Sequence, residues 1–131
     1  MWYLLNEMNR SEDNEISADI RVPSDSPWFD GHFPGEPILP GVAQIGMVLD
    51  AIRKAHHQNL MISSVRRVRF KHIIRPEDQL KIIAVPLKQE TDAYSFRILV
   101  QEETVCSGVM TVELQKNLPE EKENNWDDKG N

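Results

Sequence analysis

The alternation of apolar and polar residues predicts strands on both sides of a long loop and a helix. Residues 1–8 are apolar and strand-forming, residues 9–15 form a polar turn, and residues 16–22 alternate apolar with polar side chains. Four further strand-like segments cover residues 63–74, 78–87, 94–101 and 104–114. The connections between these last four segments are short enough for hairpins, which predicts an antiparallel meander.

A helix is predicted after Pro40, where the apolar spacing changes to three or four residues. The predicted stripe consists of Val42, Ile45, Leu49 and Ile52, widened by Val48, Ala51 and Ala55. The polar stretch RKAHHQN ends the helix, with cations where the helix dipole favours them. One helix followed by antiparallel strands predicts an α+β fold, with the sheet wrapped around one long central helix.

Composition and charge restrict the class of protein. A chain of 131 residues can close one hydrophobic core, expected in residues 1–115, whereas the polar tail 116–131 is expected to be disordered. The formal net charge of −6 argues against nucleic-acid binding, and no apolar run approaches the roughly 18 residues of a membrane span. The opening residues lack the features of a signal peptide, and the single Cys106 cannot form an internal disulfide. A cytoplasmic location is therefore predicted.

The stretch GHFPGEPILPGV, residues 31–42, resembles the signature of the 3-hydroxyacyl-acyl-carrier-protein dehydratases. The likeness extends to VRRVRFKHIIRPEDQLKI at residues 65–82 and to the last strand, TVCSGVMTVEL, so that it covers roughly residues 1–115. The resemblance implies a hotdog fold, a 3-hydroxyacyl thioester as substrate, and no cofactor.

His32 is the expected catalytic base, because imidazole titrates near neutral pH and prolines restrict the loop around it. The first amides of the helix, at Gly41 and Val42, have no intrahelical partner and lie at the positive end of the dipole. The resemblance implies that Gly41 holds the thioester oxygen there. Phe33, Val42 and Gly46 complete the expected substrate-binding residues.

Gly46 stands where the family has its catalytic carboxylate, fourteen residues after the histidine. The missing side chain either widens the pocket for an acyl chain or reflects loss of activity. Asp50, one helical turn further along, is a candidate substitute acid, although it can equally face solvent. Gln44 can form hydrogen bonds but cannot serve as an ordinary acid.

A basic segment, Arg66, Arg67, Arg69 and Lys71, stands out in this acidic chain. In a regular strand Arg67, Arg69 and Lys71 share one face, opposite Val68 and Phe70. Acyl carrier proteins are strongly acidic, so this segment is a candidate docking surface for one, or for the phosphates of coenzyme A. The alternative is a solvated strand face paired with acidic residues.

No metal site is expected, because the adjacent His56 and His57 diverge by about 100° on a helix and no third ligand accompanies them. The resemblance implies a homodimer with active sites at its interface, or a hexamer built from three dimers. Two other functions remain open: a hotdog thioesterase, and a non-catalytic acyl-thioester-binding protein that has lost the acid.

Overall fold

A computed structural model of the chain describes residues 2–30 and 35–115. His32, Phe33 and the tail 116–131, which carry three of the expectations above, lie outside the described residues. The elements are β1 (Leu4–Arg10), β2 (Ile16–Arg21), a short 3-10 helix (Pro27–Phe29), α1 (Gly41–His56), β3 (Leu60–Phe70), β4 (Gln79–Pro86), β5 (Ala93–Val100) and β6 (Glu103–Leu114). The predicted α+β architecture is confirmed.

The six strands form one antiparallel sheet in the order β1-β2-β4-β5-β6-β3. Hairpins join β4 to β5 and β5 to β6, as predicted. The hairpin predicted between β3 and β4 is wrong, because β3 pairs with β6 at the edge of the sheet and β4 pairs with β2. The connection across residues 71–78 instead passes the start of α1, where the Leu39 N–H donates to the Ile74 carbonyl at 2.8 Å.

The sheet packs against one face of α1, which contacts β1, β2, β3 and β4. The buried face consists of Ala43, Gln44, Met47, Val48, Ala51, Ile52 and Ala55. The predicted stripe is therefore only partly correct. Val42 is 69% exposed, and Ile45 and Leu49 are only half-buried, because these three lie on the side of the helix turned away from the sheet.

The C-terminal end of α1 is held by contacts with β1 and β5. His57 ends the helix in the left-handed conformation, with φ of 52°, and Arg10 donates to the Ala55 carbonyl at 2.8 Å. The ring of His56 lies between Arg10, 3.4 Å from Nδ1, and the Tyr94 hydroxyl, 2.7 Å from Nε2. Because arginine can only donate, Nδ1 accepts and the proton of the neutral ring is on Nε2.

The stability of the fold is expected to fall as the pH is lowered through the ordinary histidine range. Desolvation and the Arg10 charge lower the pKa of His56 below the ordinary histidine value of about 6.5, with an opposing contribution from Asp92. The unfolded chain therefore binds a proton first, and the free energy of unfolding decreases as pH falls below about 6.5, towards the folded-state pKa. Urea denaturation at pH 7.5 and pH 5.5 measures this loss.

The control for this prediction is the neighbouring histidine. His56→Gln is expected to reduce the difference between the two pH values, whereas His57→Asn, at an exposed position in a conformation that asparagine tolerates, should leave it unchanged. An equal pH dependence in the wild type and in His56→Gln would contradict the assignment to His56.

Candidate active site

The N-terminus of α1 presents unsatisfied backbone donors. Pro40 is the N-cap and makes no side-chain capping hydrogen bond, while its carbonyl accepts from Ala43 and Gln44 at 3.1 and 3.2 Å. The amides of Gly41 and Val42 precede those donors, in the part of a helix that has no intrahelical acceptor. These amides and the helix dipole favour an oxygen atom that carries negative charge.

A cavity of about 250 Å³ adjoins this helix start. Its walls come from the segment before α1, the first turns of the helix, and the end of β3 with the residues that follow it. The lining residues are Ile38, Leu39, Gly41, Gln44, Phe70, Lys71, His72 and Ile73. The walls are mainly apolar, with Gly41 and Gln44 as the polar groups on the helix side and Lys71 and His72 on the strand side.

An aromatic ring lies directly against the backbone of Gly41. A Cβ atom at this position would lie 2.6 Å from Cζ of Phe70, well inside van der Waals contact. Phe70 is 52% exposed, so its ring covers the helix start without being part of the core. Glycine thus lets the aromatic wall of the cavity lie directly against the backbone of the first turn.

Gly46 lies on the open side of α1. A Cβ added there would meet nothing within 4 Å, so packing within the chain does not require glycine at this position. Its neighbours on this side of the helix are Val42, Ile45 and Leu49, which together with Gly46 form a partly exposed apolar strip. The described part of the chain therefore leaves room for a larger side chain, or for a group from elsewhere, at Gly46.

Asp50 is held by two neighbours. The Tyr3 hydroxyl donates to its carboxylate at 2.8 Å, and Arg53 lies 3.6 Å from the other carboxylate oxygen. Burial and the Asp50 carboxylate raise the pKa of Tyr3, so the phenol remains a donor at physiological pH. Asp50 lies about 13 Å along the helix axis from Gly41 and on the opposite side, but about 40° around the axis from Gly46.

Two sets of contacts hold the segment that leads towards His32. The Glu77 carboxylate accepts from the Ser24 N–H and hydroxyl, both at 2.8 Å, and pairs with Arg21. These bonds lower the pKa of Glu77, so the carboxylate stays ionised. On the other side, Trp28 packs edge-on against Trp2, with 5.8 Å between ring centroids. The backbone on the N-terminal side of the motif is therefore fixed by β2, the turn before β4 and the N-terminal segment.

The predicted basic segment is not a regular strand face. A bulge lies between Arg66 and Arg69 where two residues of β3 oppose one of β6, and Arg67 within it has a φ of 58°. The bulge brings Arg66 and Arg69 to the outer face of the sheet, opposite Val109 and Ser107, while Lys71 follows the strand and lines the cavity. The bulge therefore interrupts the regular strand on which a shared face for Arg67, Arg69 and Lys71 was predicted.

One further cation, which the sequence pattern did not single out, lies on the outer face of the sheet near Arg69. Arg97 of β5 and Arg69 of β3 lie on either side of Ser107 of β6, each directly opposite it. Their Cα atoms are therefore separated by two strand spacings, about 10 Å. Arg66 is bound by Glu90, whereas Arg69 and Arg97 make no ion pair with any described residue. The signal for Arg97 was its outward position in the alternation of β5, visible only once the strand order is known.

No group of three or more metal-ligating side chains is found among residues 2–30 and 35–115. Within the same ranges, no helix is both long and apolar enough to cross a membrane.

The sheet and helix define the class of the protein, which is the hotdog fold shared by its structural neighbours. Among them is a chain of the dehydratase heterocomplex ApeI:P from Xenorhabdus doucetiae, with a TM-score of 0.75, 24% identity, and coverage of 86% of this chain and 98% of that one. A hypothetical thioesterase solved with coenzyme A from Streptococcus pneumoniae has a TM-score of 0.60 at 13% identity, covering 86% and 85% of the two chains. These likenesses show the fold alone.

The sequence comparison is more specific. Residues 8–109 match the ApeI-like family, described as ApeI dehydratase, and the chain belongs to this family. A 3-hydroxyacyl-acyl-carrier-protein dehydratase FabZ from Caldicellulosiruptor saccharolyticus is 33% identical over 115 residues, which are 80% of this chain and 82% of the relative. The resemblance inferred from the sequence is thus confirmed at the level of the family.

The two glycines of α1 are expected to respond differently to the same substitution. Gly46→Ala should raise the free energy of unfolding by up to about 1 kcal/mol, because alanine is the better helix former and its Cβ meets open space. Gly41→Ala should not, because Phe70 must swing away from the helix start. Chemical denaturation of both variants provides the comparison. Equal stabilisation at the two positions would show that Phe70 does not constrain Gly41.

Proposed function

We propose that this protein is a 3-hydroxyacyl thioester dehydratase that acts on substrates carried by an acyl carrier protein, with His32 as the base. The observation that supports this most directly is the combination of the GHFPGEPILPGV stretch with an uncapped helix start at Gly41 beside a largely apolar cavity. Membership of a dehydratase family and FabZ relatives support the reaction class.

The proposed reaction divides between the base and the helix start. His32 removes a proton from C2 of the substrate, and negative charge accumulates on the thioester oxygen. The Gly41 amide and the dipole of α1 stabilise that charge, while Phe70 covers the same backbone and limits access of water. Loss of the C3 hydroxyl as water then forms the 2-enoyl thioester.

The leaving hydroxyl needs a proton donor, and Gly46 cannot supply one. Asp50 is the proposed acid, since it lies one turn beyond Gly46 and on nearly the same side of the helix. Because that side is opposite Gly41 of its own chain, Asp50 is proposed to act on substrate held at the helix start of the partner subunit in a homodimer. Its contacts with Tyr3 and Arg53 also fit a purely structural role. The second source is a different protein chain, because the open space at Gly46 has room for a carboxylate from outside and the Xenorhabdus relative is a heterocomplex.

Assembly is part of the proposal. The edge strand β3 and the partly exposed apolar strip on α1 leave backbone and side-chain groups available to another subunit. A homodimer, or a hexamer of three dimers, is proposed for this chain alone, and a pair of different chains is the alternative if the acid comes from outside.

The cytoplasm remains the predicted location. It is consistent with Cys106, a buried free thiol whose pKa burial raises to about 11.

The reaction is tested by turnover of a series of 3-hydroxyacyl-carrier-protein substrates, with products identified by mass spectrometry. The wild type is expected to form the 2-enoyl product and His32→Ala to lose it, because loss of a general base typically costs roughly 10²–10⁴ in rate. Release of the free acid instead would assign a thioesterase. Absence of both products from the wild type, with dehydration created by Gly46→Glu, would assign a binding protein that lacks its acid.

Asp50→Asn and Tyr3→Phe form a matched pair for the role of Asp50. If Asp50 is the acid, Asp50→Asn lowers kcat by at least roughly 10² while Tyr3→Phe, which keeps the carboxylate, has little effect on kcat. Similar modest losses in the two variants would show that Asp50 only anchors Tyr3. Unfolding curves for both variants separate a loss of stability from a loss of turnover.

We propose that the carrier protein binds to the cations on the outer face of the sheet, which are Arg66, Arg69 and Arg97. Arg69→Glu is expected to raise KM for a carrier-protein substrate by roughly three- to tenfold at low salt, because it removes a cation that no described residue neutralises. Turnover of the same acyl group on pantetheine should be unchanged. Lys88→Glu, an equal change of charge at an exposed turn, is the control, and an equal effect there would contradict local docking.

A further inference from the structure

Phe70 is an exposed aromatic side chain that the packing of the core does not account for. It is 52% exposed, and among residues 2–30 and 35–115 it is the only aromatic residue in the group of exposed large hydrophobic side chains. Phe96, in contrast, is buried in the core. A ring left half in water loses part of the stabilisation that full burial would give. Its position therefore suggests a role outside the core.

The backbone of β3 directs this ring to the helix side of the sheet. The bulge at Arg67 adds one residue to the strand and places Phe70 opposite Cys106, whose side chain is fully buried. Without the extra residue Phe70 would lie on the outer face, because successive strand residues alternate between the two faces. The left-handed conformation of Arg67 is uncommon for a non-glycine residue. After the ring, the Lys71 N–H donates to the Val105 carbonyl at 2.8 Å and fixes the chain.

The tip of the ring lies beside the backbone donor at the start of α1. Its Cζ atom is 2.6 Å from the place that a Cβ of Gly41 would take. That place is two covalent bonds of about 1.5 Å from the Gly41 nitrogen, so Cζ lies at most about 6 Å from this nitrogen. A thioester oxygen that accepts from the Gly41 N–H would be about 2.9 Å from the same nitrogen. A thioester bound there is therefore a close neighbour of the ring.

We propose that the Phe70 ring shields a thioester bound at Gly41 from water, and that this shielding directs the reaction to dehydration instead of hydrolysis. The inference rests on the proposed function and deepens it, because it names a residue that determines the outcome of the reaction. Exclusion of water is a general means of preventing hydrolysis in an active site. The exposed part of the ring is not packed in the core, so the ring can turn aside for an entering acyl chain and close again.

The two reactions share their first interaction and differ in the role of water. Both use a thioester whose oxygen accepts from the Gly41 N–H. In dehydration the C2–H and C3–O bonds break, the C2=C3 double bond forms, and water leaves. In hydrolysis the oxygen of a water molecule adds to the thioester carbon, the C–S bond breaks, and the hydrogens of that water end on the acid and on the thiol. A base that removes the C2 proton can equally activate water, so access of water to the thioester carbon decides between the two reactions.

The test measures initial rates of 2-enoyl and free-acid formation from one 3-hydroxyacyl-carrier-protein substrate by mass spectrometry, corrected for hydrolysis without protein. Phe70→Ala is expected to raise the ratio of free acid to 2-enoyl product at least roughly tenfold, because water then reaches the thioester. Phe70→Met, with a flexible apolar side chain of similar length, should keep the ratio within about threefold of the wild type. A loss of folded protein lowers both rates together and does not change the ratio.

Leu114→Ala is the control, because it shortens an apolar side chain of nearly the same exposure, 54%, at the end of β6 away from the cavity. It should leave the ratio unchanged. Phe70→Val, which suits a strand, takes the place of Phe70→Ala if that variant does not fold.

An unchanged ratio in Phe70→Ala would overturn the inference, and so would a folded Phe70→Ala that forms neither product. If the wild type still dehydrates the substrate in those cases, the proposed function stands without the inference. Release of free acid alone by the wild type, or the absence of both products, would refute the proposed function and the inference together. The wild-type products therefore distinguish the two failures.

Discussion

The packing of one face of α1 into the sheet is the interaction on which the rest of the structure depends. Small residues at Ala43, Ala51 and Ala55 let the strands approach the helix closely, and larger ones such as Met47 and Ile52 fill the remaining core. Each large apolar side chain buried in this way contributes roughly 1.5–3 kcal/mol. Because this face packs into the core, Gly46 faces outward, and the start of the helix lies at the edge of the sheet.

The sequence predicted the strands and the helix well, because each carries a local period. Alternation located β2, β5 and β6 to within one or two residues, and the change of period after Pro40 located the start of α1. The partner of β3 was not predictable in this way. A short connection permits a hairpin but does not require one, and the choice between β4 and β6 depends on which edge of the sheet covers the start of the helix.

Which side of α1 faces the core was harder to predict, because apolar residues occur nearly all around this helix. The period of 3.6 fixes which residues share a side, but not which of two apolar sides faces the sheet. Contacts that bring distant segments together were also beyond the pattern. Three such features depend on the register between strands or on packing across the core. They are the bulge at Arg67, the Tyr3–Asp50 hydrogen bond, and the placement of Arg69 and Arg97 on either side of Ser107.

Two features of α1 work against stability. A glycine inside a helix costs roughly 1 kcal/mol relative to alanine, and nothing near Gly46 requires it. A buried acceptor that has no donor among the described residues, as at Oε1 of Gln44, costs roughly 1–3 kcal/mol. Departures of this kind from an otherwise consistent fold are expected at functional sites. They lie on opposite sides of one helix, Gln44 on the side that faces the sheet and Gly46 on the side that faces outward. A glycine at position 46 therefore removes a proton donor from the proposed chemistry, while the amide of Gly41, which is proposed to hold the thioester oxygen, remains at the uncapped start of the same helix.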